Sequence, residues 1–231
     1  MSAPSGRVMT AIAVLLTFVS GAVDVASFTR LGNVFASVMT GNIVLFGLSL
    51  ARGSVSLAGH TAMAFAGYVI GVAIGTRVAW FHTERSGPDS GSGWPPHVTL
   101  VLLIELTLLS GFAAGWELTG SRPGGAAQLA ILAAAASAMG LQSAAVQHMG
   151  ISEVSTTYLT GTLTGLVGAI ASPGKKSRPG LRRPGVLFGL IAGALLAGLL
   201  VAHAPAVVPA LPLAALVTAI VLGSGRVRDR D

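Results

Sequence analysis

Two carboxylates interrupt apolar runs. Asp24 stands in Ala22-Val23-Asp24-Val25-Ala26, and Glu105 in Leu102-Leu103-Ile104-Glu105-Leu106. At comparable depth in other apolar stretches lie Thr40 and Asn42 of Met39-Thr40-Gly41-Asn42, then Gln142, then Thr160 and Thr162 of Leu159-Thr160-Gly161-Thr162. Carboxyl groups with no Lys or Arg at their depth, Arg77 excepted, suit the holding and release of a proton or cation. Hydroxyl and amide groups can bind a small solute, glue helices, or satisfy backbone groups freed by a helix break. Other chemistry has no residues to carry it. There is no Walker motif, no dinucleotide glycine pattern, no His-Glu-x-x-His and no nucleophile elbow. Cysteine is absent, which removes disulfides and thiolate chemistry. The histidines, His60, His82, His97, His148 and His203, lack metal-ligand spacing and fall at segment ends. No enzymatic, cofactor or metal role is expected.

The elements that hold these groups must be membrane helices. Of the 231 residues 52% are apolar and 10% charged, with a mean hydropathy of +0.77. A soluble domain carries about a quarter charged residues, so lipid is the expected solvent. A spanning helix needs about 20 apolar residues. Eight segments qualify: 9–29, 34–51, 60–81, 98–116, 127–147, 154–172, 185–203 and 206–223. The second and sixth are short. The tight hairpin at His203-Ala204-Pro205 also leaves six or seven spans open. Eight spans with the N-terminus inside put eleven Lys and Arg on the cytoplasmic side. These are Arg7, Arg52, Arg122, Lys175, Lys176, Arg178, Arg182, Arg183, Arg226, Arg228 and Arg230. Only Arg30, Arg77 and Arg85 lie outside, as the positive-inside rule requires. The basic run 175–183 reads as a cytoplasmic loop near anionic lipid rather than a nucleic-acid site. The first segment is too long for a signal-peptide core. Trp80, Trp94 and Trp116 fall near span ends, as belt residues do.

The chain also repeats itself. Gly32 to Asn42 is echoed by Gly150 to Thr162, and Gly21-Ala22-Val23-Asp24 by Met139-Gly140-Leu141-Gln142. Gly67-x3-Gly71 is echoed by Gly189-x3-Gly193, two small-residue stripes suited to close helix contact. Gly41 and Gly161, inside the Thr-Gly pairs, suit close packing or a break. Two copies, about 9–117 and 127–224, of four spans each would be parallel, related by an axis along the membrane normal. Helical rise then sets Asp24, Thr40, Asn42, Glu105, Gln142, Thr160 and Thr162 in one layer about 7–12 Å beneath the outer face. They are expected to line one cavity there. An unpaired charge at that depth costs about 2.5–3.5 kcal/mol on insertion scales, so the carboxyl groups face the bundle.

Gly21-x-x-Asp24, Gly32, Met39-Thr40-Gly41-Asn42, Glu105 within a helix, and Gly140-x-Gln142 followed by Thr156-x3-Thr160-Gly161-Thr162 resemble the YoaK family of bacterial multi-pass membrane proteins. The likeness runs from residue 10 to 223. The family pattern often has Asn after the Gln, where this chain has Ser143. The resemblance implies a bacterial inner-membrane protein and no particular substrate. The residues favour an all-α polytopic bundle with both termini cytoplasmic, acting as a secondary transporter for a small solute coupled to a proton or ion. The alternative is a non-transporting scaffold, subunit or small channel whose polar layer is structural. The expected partners are the lipid bilayer and a small-molecule or ion substrate, with no nucleic acid; an oligomer is compatible.

Overall fold

The computed structural model describes residues 6–86, 94–149, 159–171 and 182–228. They form eight helices: α1 (Gly6–Arg30), α2 (Met39–Ala51), α3 (Val55–Ser86), α4 (Pro96–Leu118), α5 (Gly125–His148), α6 (Leu159–Ala171), α7 (Arg182–His203) and α8 (Ala210–Arg228). A 3-10 turn, Pro205–Val207, joins the last two. There is no strand among the described residues. Six helices are long and apolar enough to cross a membrane: α1, α3, α4, α5, α7, and α8 with its preceding turn. The fold is an all-α polytopic bundle. The two remaining helices, α2 and α6, have 13 residues each. At 1.5 Å per residue each is about 20 Å long, short of a hydrocarbon core of about 30 Å.

Helix directions follow from named contacts. Moving up α3, Gly67 approaches Ala133, Gly71 approaches Ser137 and Gly75 approaches Ala144, so α3 and α5 are parallel. Likewise Gly189, Gly193 and Gly198 of α7 approach Val14, Phe18 and Val25, so α1 and α7 are parallel. Gln142 reaches Leu16 while Gln128 reaches Arg30, so α1 and α5 are antiparallel. His97 meets His148, and Gly115 meets Ile131, so α4 and α5 are antiparallel too.

One end of the bundle, the near end, therefore holds the start of α1, and the far end holds its finish. His60, early in α3, lies at the far end. Its Nε2 meets Gln128 Oε1 at 3.0 Å, and Gln128 Nε2 donates to the Arg30 carbonyl at 2.8 Å. Its ring also occupies the place of a Cβ on Gly32, whose φ of 96° suits glycine. The chain thus leaves α1 and enters α3 at the same end. The second apolar segment does not cross; it dips in and comes back. This corrects the expectation of eight spans. The physical reason is local: residues 31–38 are not helical, so only 13 residues of the segment add helical length.

With six crossings, three precede α5 and three follow α4. Three is odd, so α5, α7 and α8 run opposite to α1, α3 and α4 in turn. This overturns the expected axis along the membrane normal.

α1 and α5 hold the core. Twelve residues of α1 and thirteen of α5 are buried. α7 packs along α1 and α3 along α5, while α4 and α8 close the other flank. Glycine sets the two closest approaches. A Cβ on Gly71 would overlap the carbonyl of Ser137, and one on Gly193 the carbonyl of Phe18. Gly140 and Gly21 face them from the other side, where a Cβ would overlap the carbonyls of Tyr68 and Leu190. Gly67 and Gly189 are looser, with a Cβ at 2.9 Å from the Ala133 oxygen and 2.7 Å from the Val14 oxygen.

Candidate functional site

Asp24 faces inward from α1, six residues before its end at Arg30, or about 9 Å of rise. The dipping segment comes down to meet it. Asp24 Oδ1 accepts from the backbone N–H of Ala36 at 2.8 Å and of Ser37 at 2.7 Å. Oδ2 accepts from the Ser37 hydroxyl at 2.5 Å. Asn42, in the first turn of α2, holds the same segment from below. Its Oδ1 accepts from Phe35 N at 2.9 Å, and its Nδ2 donates to the Phe35 carbonyl at 2.6 Å. Leu31, Val34, Ala36 and Ser37 are buried around these bonds. Non-helical backbone at membrane depth is tolerated only where its polar groups are satisfied within the protein. Asp24 and Asn42 do that here, and their polar atoms are consumed by it.

Glu105 is built differently. It lies on the one buried stripe of α4, with Val98, Val101, Leu102, Leu109, Phe112 and Trp116. The residue is 0% exposed, and neither carboxyl oxygen has a hydrogen-bond partner. Gln142, also 0% exposed, donates through Nε2 to the Leu16 carbonyl at 3.0 Å and to Ser20 Oγ at 2.8 Å. Its Oε1 is buried without a partner. The α4–α5 register, fixed by His97 against His148, sets Glu105 level with Gly140. Gln142 is two residues away, about 3 Å of rise. Arg77 does not neutralise this layer. It is exposed on α3, with its guanidinium 5.4 Å from the Phe81 ring centre.

The seven polar residues expected in one outer cavity therefore divide. Asp24 and Asn42 come together through the dipping segment. Glu105 and Gln142 share a layer near the middle of the bundle, since Gln142 meets α1 at Leu16 and Ser20, four or more residues deeper than Asp24. Thr40 is exposed on α2. Thr160 is exposed and Thr162 buried on α6, which leaves from α5 and returns to α7 at the near end. The two Thr-Gly pairs thus belong to opposite ends. The single cavity fails because α2 turns back, which reverses the second half relative to the first. The atoms nearest to a Cβ on Gly41 would be those of Phe35 and Val38 of its own segment, at ordinary contact distance, and a Cβ on Gly161 would meet nothing within 4 Å. Neither glycine is a close-packing position. Glu153 and Thr156, in the echoing stretch 150–158, lie outside the described residues.

Sequence reasoning passed over Ser20, Ser27 and Ser37. Ser20 and Ser27 are fully buried on the Asp24 face of α1, at positions 20, 24 and 27. Their i, i+4, i+7 spacing was the available signal. Register was also misjudged by one residue. Gly21 lies against the Leu190 carbonyl and Gly140 against the Tyr68 carbonyl. Matching those contacts makes Ser143, which accepts from Tyr68 Oη at 2.9 Å, the counterpart of Asp24 in the second half, in place of Gln142.

Comparison with known proteins adds a family and no chemistry. The profile of a family described as "Protein of unknown function (DUF1275)" matches residues 12–224. The chain is 35% identical over 153 residues to the UPF0700 transmembrane protein YoaK of Bacillus subtilis (strain 168). That match covers 66% of this chain and 63% of the relative, less than two thirds of its length. No solved structure matches the chain significantly.

Proposed function

The chain belongs to the DUF1275 family of multi-pass membrane proteins, and on its buried carboxyl group we propose that it is a secondary transporter for a small solute, coupled to a proton or other small ion through Glu105. The observation that carries this reading is that Glu105 has no exposed surface and no partner for either oxygen. A scaffold has no use for such a group, because an apolar side chain would fill the place at lower cost. Coupled transport needs a group of this kind, able to gain and lose a charge inside the membrane.

The architecture is consistent with this reading. We take α1–α4 and α5–α8 as two inverted copies, with Glu105 and Gln142 between them. The matched glycine contacts of α7 on α1 and α3 on α5 support that view. Inverted repeats with non-helical segments and a midplane site recur in secondary transporters. We take the protein to lie in the bacterial inner membrane with both termini cytoplasmic. Six crossings put Arg7, Arg77, Arg85, the five basic residues of 175–183 and Arg226, Arg228 and Arg230 inside, eleven in all, against Arg30, Arg52 and Arg122.

A second reading, a structural membrane subunit, is favoured by Asp24, whose bonds all go to its own chain. Solute uptake into proteoliposomes under an imposed pH gradient separates the two. Wild-type protein is expected to accumulate solute, and Glu105→Gln to lose gradient-driven uptake while remaining folded. Equal uptake by both proteins would remove Glu105 from the mechanism.

A further inference from the structure

We propose that Glu105 and Gln142 together form a binding site for one monocation, either a proton or a small ion such as sodium, potassium or ammonium. The assignment rests on the reading of Glu105 as the coupling group and names what that group binds.

The argument is an inventory of donors and acceptors. Gln142 spends its amide on α1, through 3.0 and 2.8 Å bonds to Leu16 O and Ser20 Oγ. Reversing that amide would set Oε1 against the Leu16 carbonyl, so the orientation is fixed by chemistry. Gln142 Oε1 must then be the free acceptor. Glu105 offers two more. All three oxygens are buried and unpartnered, and they belong to facing helices within about 3 Å of axial rise. Among the described residues no donor answers them. Ser20 Oγ already donates to Leu16 O at 3.3 Å.

Charged groups on the surrounding helices are few. Between residues 8 and 29, α1 carries only Asp24, and the stretches 125–147 and 210–225 of α5 and α8 carry none. On α4 the only other carboxylate is Glu117, which is exposed, and on α3 Arg77 faces outward over Phe81.

A site made only of acceptors repels anions and selects a cation or a donor. One carboxylate balances one positive charge, and a divalent ion would keep an uncompensated charge in a dry interior. In the protonated form the carboxylate takes up one proton, and the new O–H donates to Gln142 Oε1. With an alkali or ammonium ion, the same oxygens bind the ion directly and the carboxyl remains ionised.

The test uses the full chain in lipid nanodiscs. Infrared difference spectroscopy follows the carbonyl band of a protonated carboxyl group while sodium, potassium or ammonium replaces N-methylglucamine. Wild type is expected to show a protonated band that is lost in Glu105→Gln and kept in Glu117→Gln. Gln142→Leu is expected to shift that band upward, as the hydrogen bond to the acid is lost; this arm also serves if Glu105→Gln does not fold. A band indifferent to all three ions identifies the proton as the ligand. Saturable loss of the band with one ion, with a rise in Tm absent from Glu105→Gln, identifies that ion. If wild type and Glu105→Gln are the same in both readouts, or the band ignores Gln142→Leu, the site is overturned. A site that passes, in a protein that accumulates no solute in proteoliposomes, stands while the transport reading falls.

Discussion

Asp24 and Glu105 are both carboxyl groups inside an apolar bundle, yet they are equipped in opposite ways. Asp24 receives three hydrogen bonds, two from backbone N–H groups and one from a hydroxyl. Glu105 receives none. The difference lies in what each faces. Asp24 faces chain that is not helical, and its oxygens replace the carbonyls that a helix would have supplied. Glu105 faces helices whose backbone is already satisfied, so nothing structural asks for it. A polar residue in a membrane bundle is thus informative when its partners are counted. One that completes a backbone belongs to the fold, and one left over belongs to whatever the fold is for.

The comparison is sharpest in topology, where outcomes are all or none. If Asp24 holds a segment that turns back, residues 55 and 120 lie at the far end and residues 182 and 228 on the near side. Reporter fusions at the first two positions are expected to read opposite to those at the last two. Four identical readings would mean that α2 crosses, and that Asp24 lines a span.

Removing Asp24 comes next. Asp24→Ala strands Ala36 N, Ser37 N and the Ser37 hydroxyl in a buried place. At about 1–3 kcal/mol for each unsatisfied group, the loss is several kcal/mol. Folded protein in detergent, measured by size exclusion and thermal unfolding, is expected to fall sharply. Near wild-type stability would show that the segment does not depend on the carboxyl group, and would leave Asp24 as unexplained as Glu105.

The glycine contacts provide a smaller effect with an internal control. Gly71→Leu and Gly193→Leu each drive a side chain into a carbonyl of the neighbouring helix. Overpacking of this kind costs about 1–3 kcal/mol. The two variants are expected to lose similar amounts, because the contacts match. A large loss in one and none in the other would mean that the halves are held by different means, and would weaken the case for inverted copies.

Much of this was legible in the sequence. Low charge and runs of about 20 apolar residues fix a helical membrane bundle, and the small-residue spacing points to Gly71 and Gly193. The return of α2 was not legible. An apolar stretch reads alike whether residues 31–38 are helical or extended. Charge could not arbitrate, since refusing the second and sixth crossings only exchanges Arg52 and Arg122 for Arg77 and Arg85, and the split stays eleven to three. The separation of Thr40 from Thr160 follows from that one unseen turn. The pairing of Asp24 with Ser37 depends on a side chain meeting backbone thirteen residues later, which periodicity does not encode.

The smallest expected effect on stability decides the comparison. Glu105→Gln keeps the shape of the side chain, removes its capacity for charge and supplies an N–H donor toward Gln142 Oε1. No hydrogen bond present in the structure is lost, and the new N–H takes the place toward Gln142 Oε1 that the O–H of the protonated acid would hold. The unfolding midpoint is expected to stay within about 0.5 kcal/mol of wild type, or to rise, even as gradient-driven uptake disappears. Stability and activity would then respond to different carboxyl groups, Asp24 governing the first and Glu105 the second. A loss of about 2 kcal/mol, the scale of a broken buried hydrogen bond, would place Glu105 among the groups that hold the bundle together. The structural reading would then account for both carboxylates with no transport to explain.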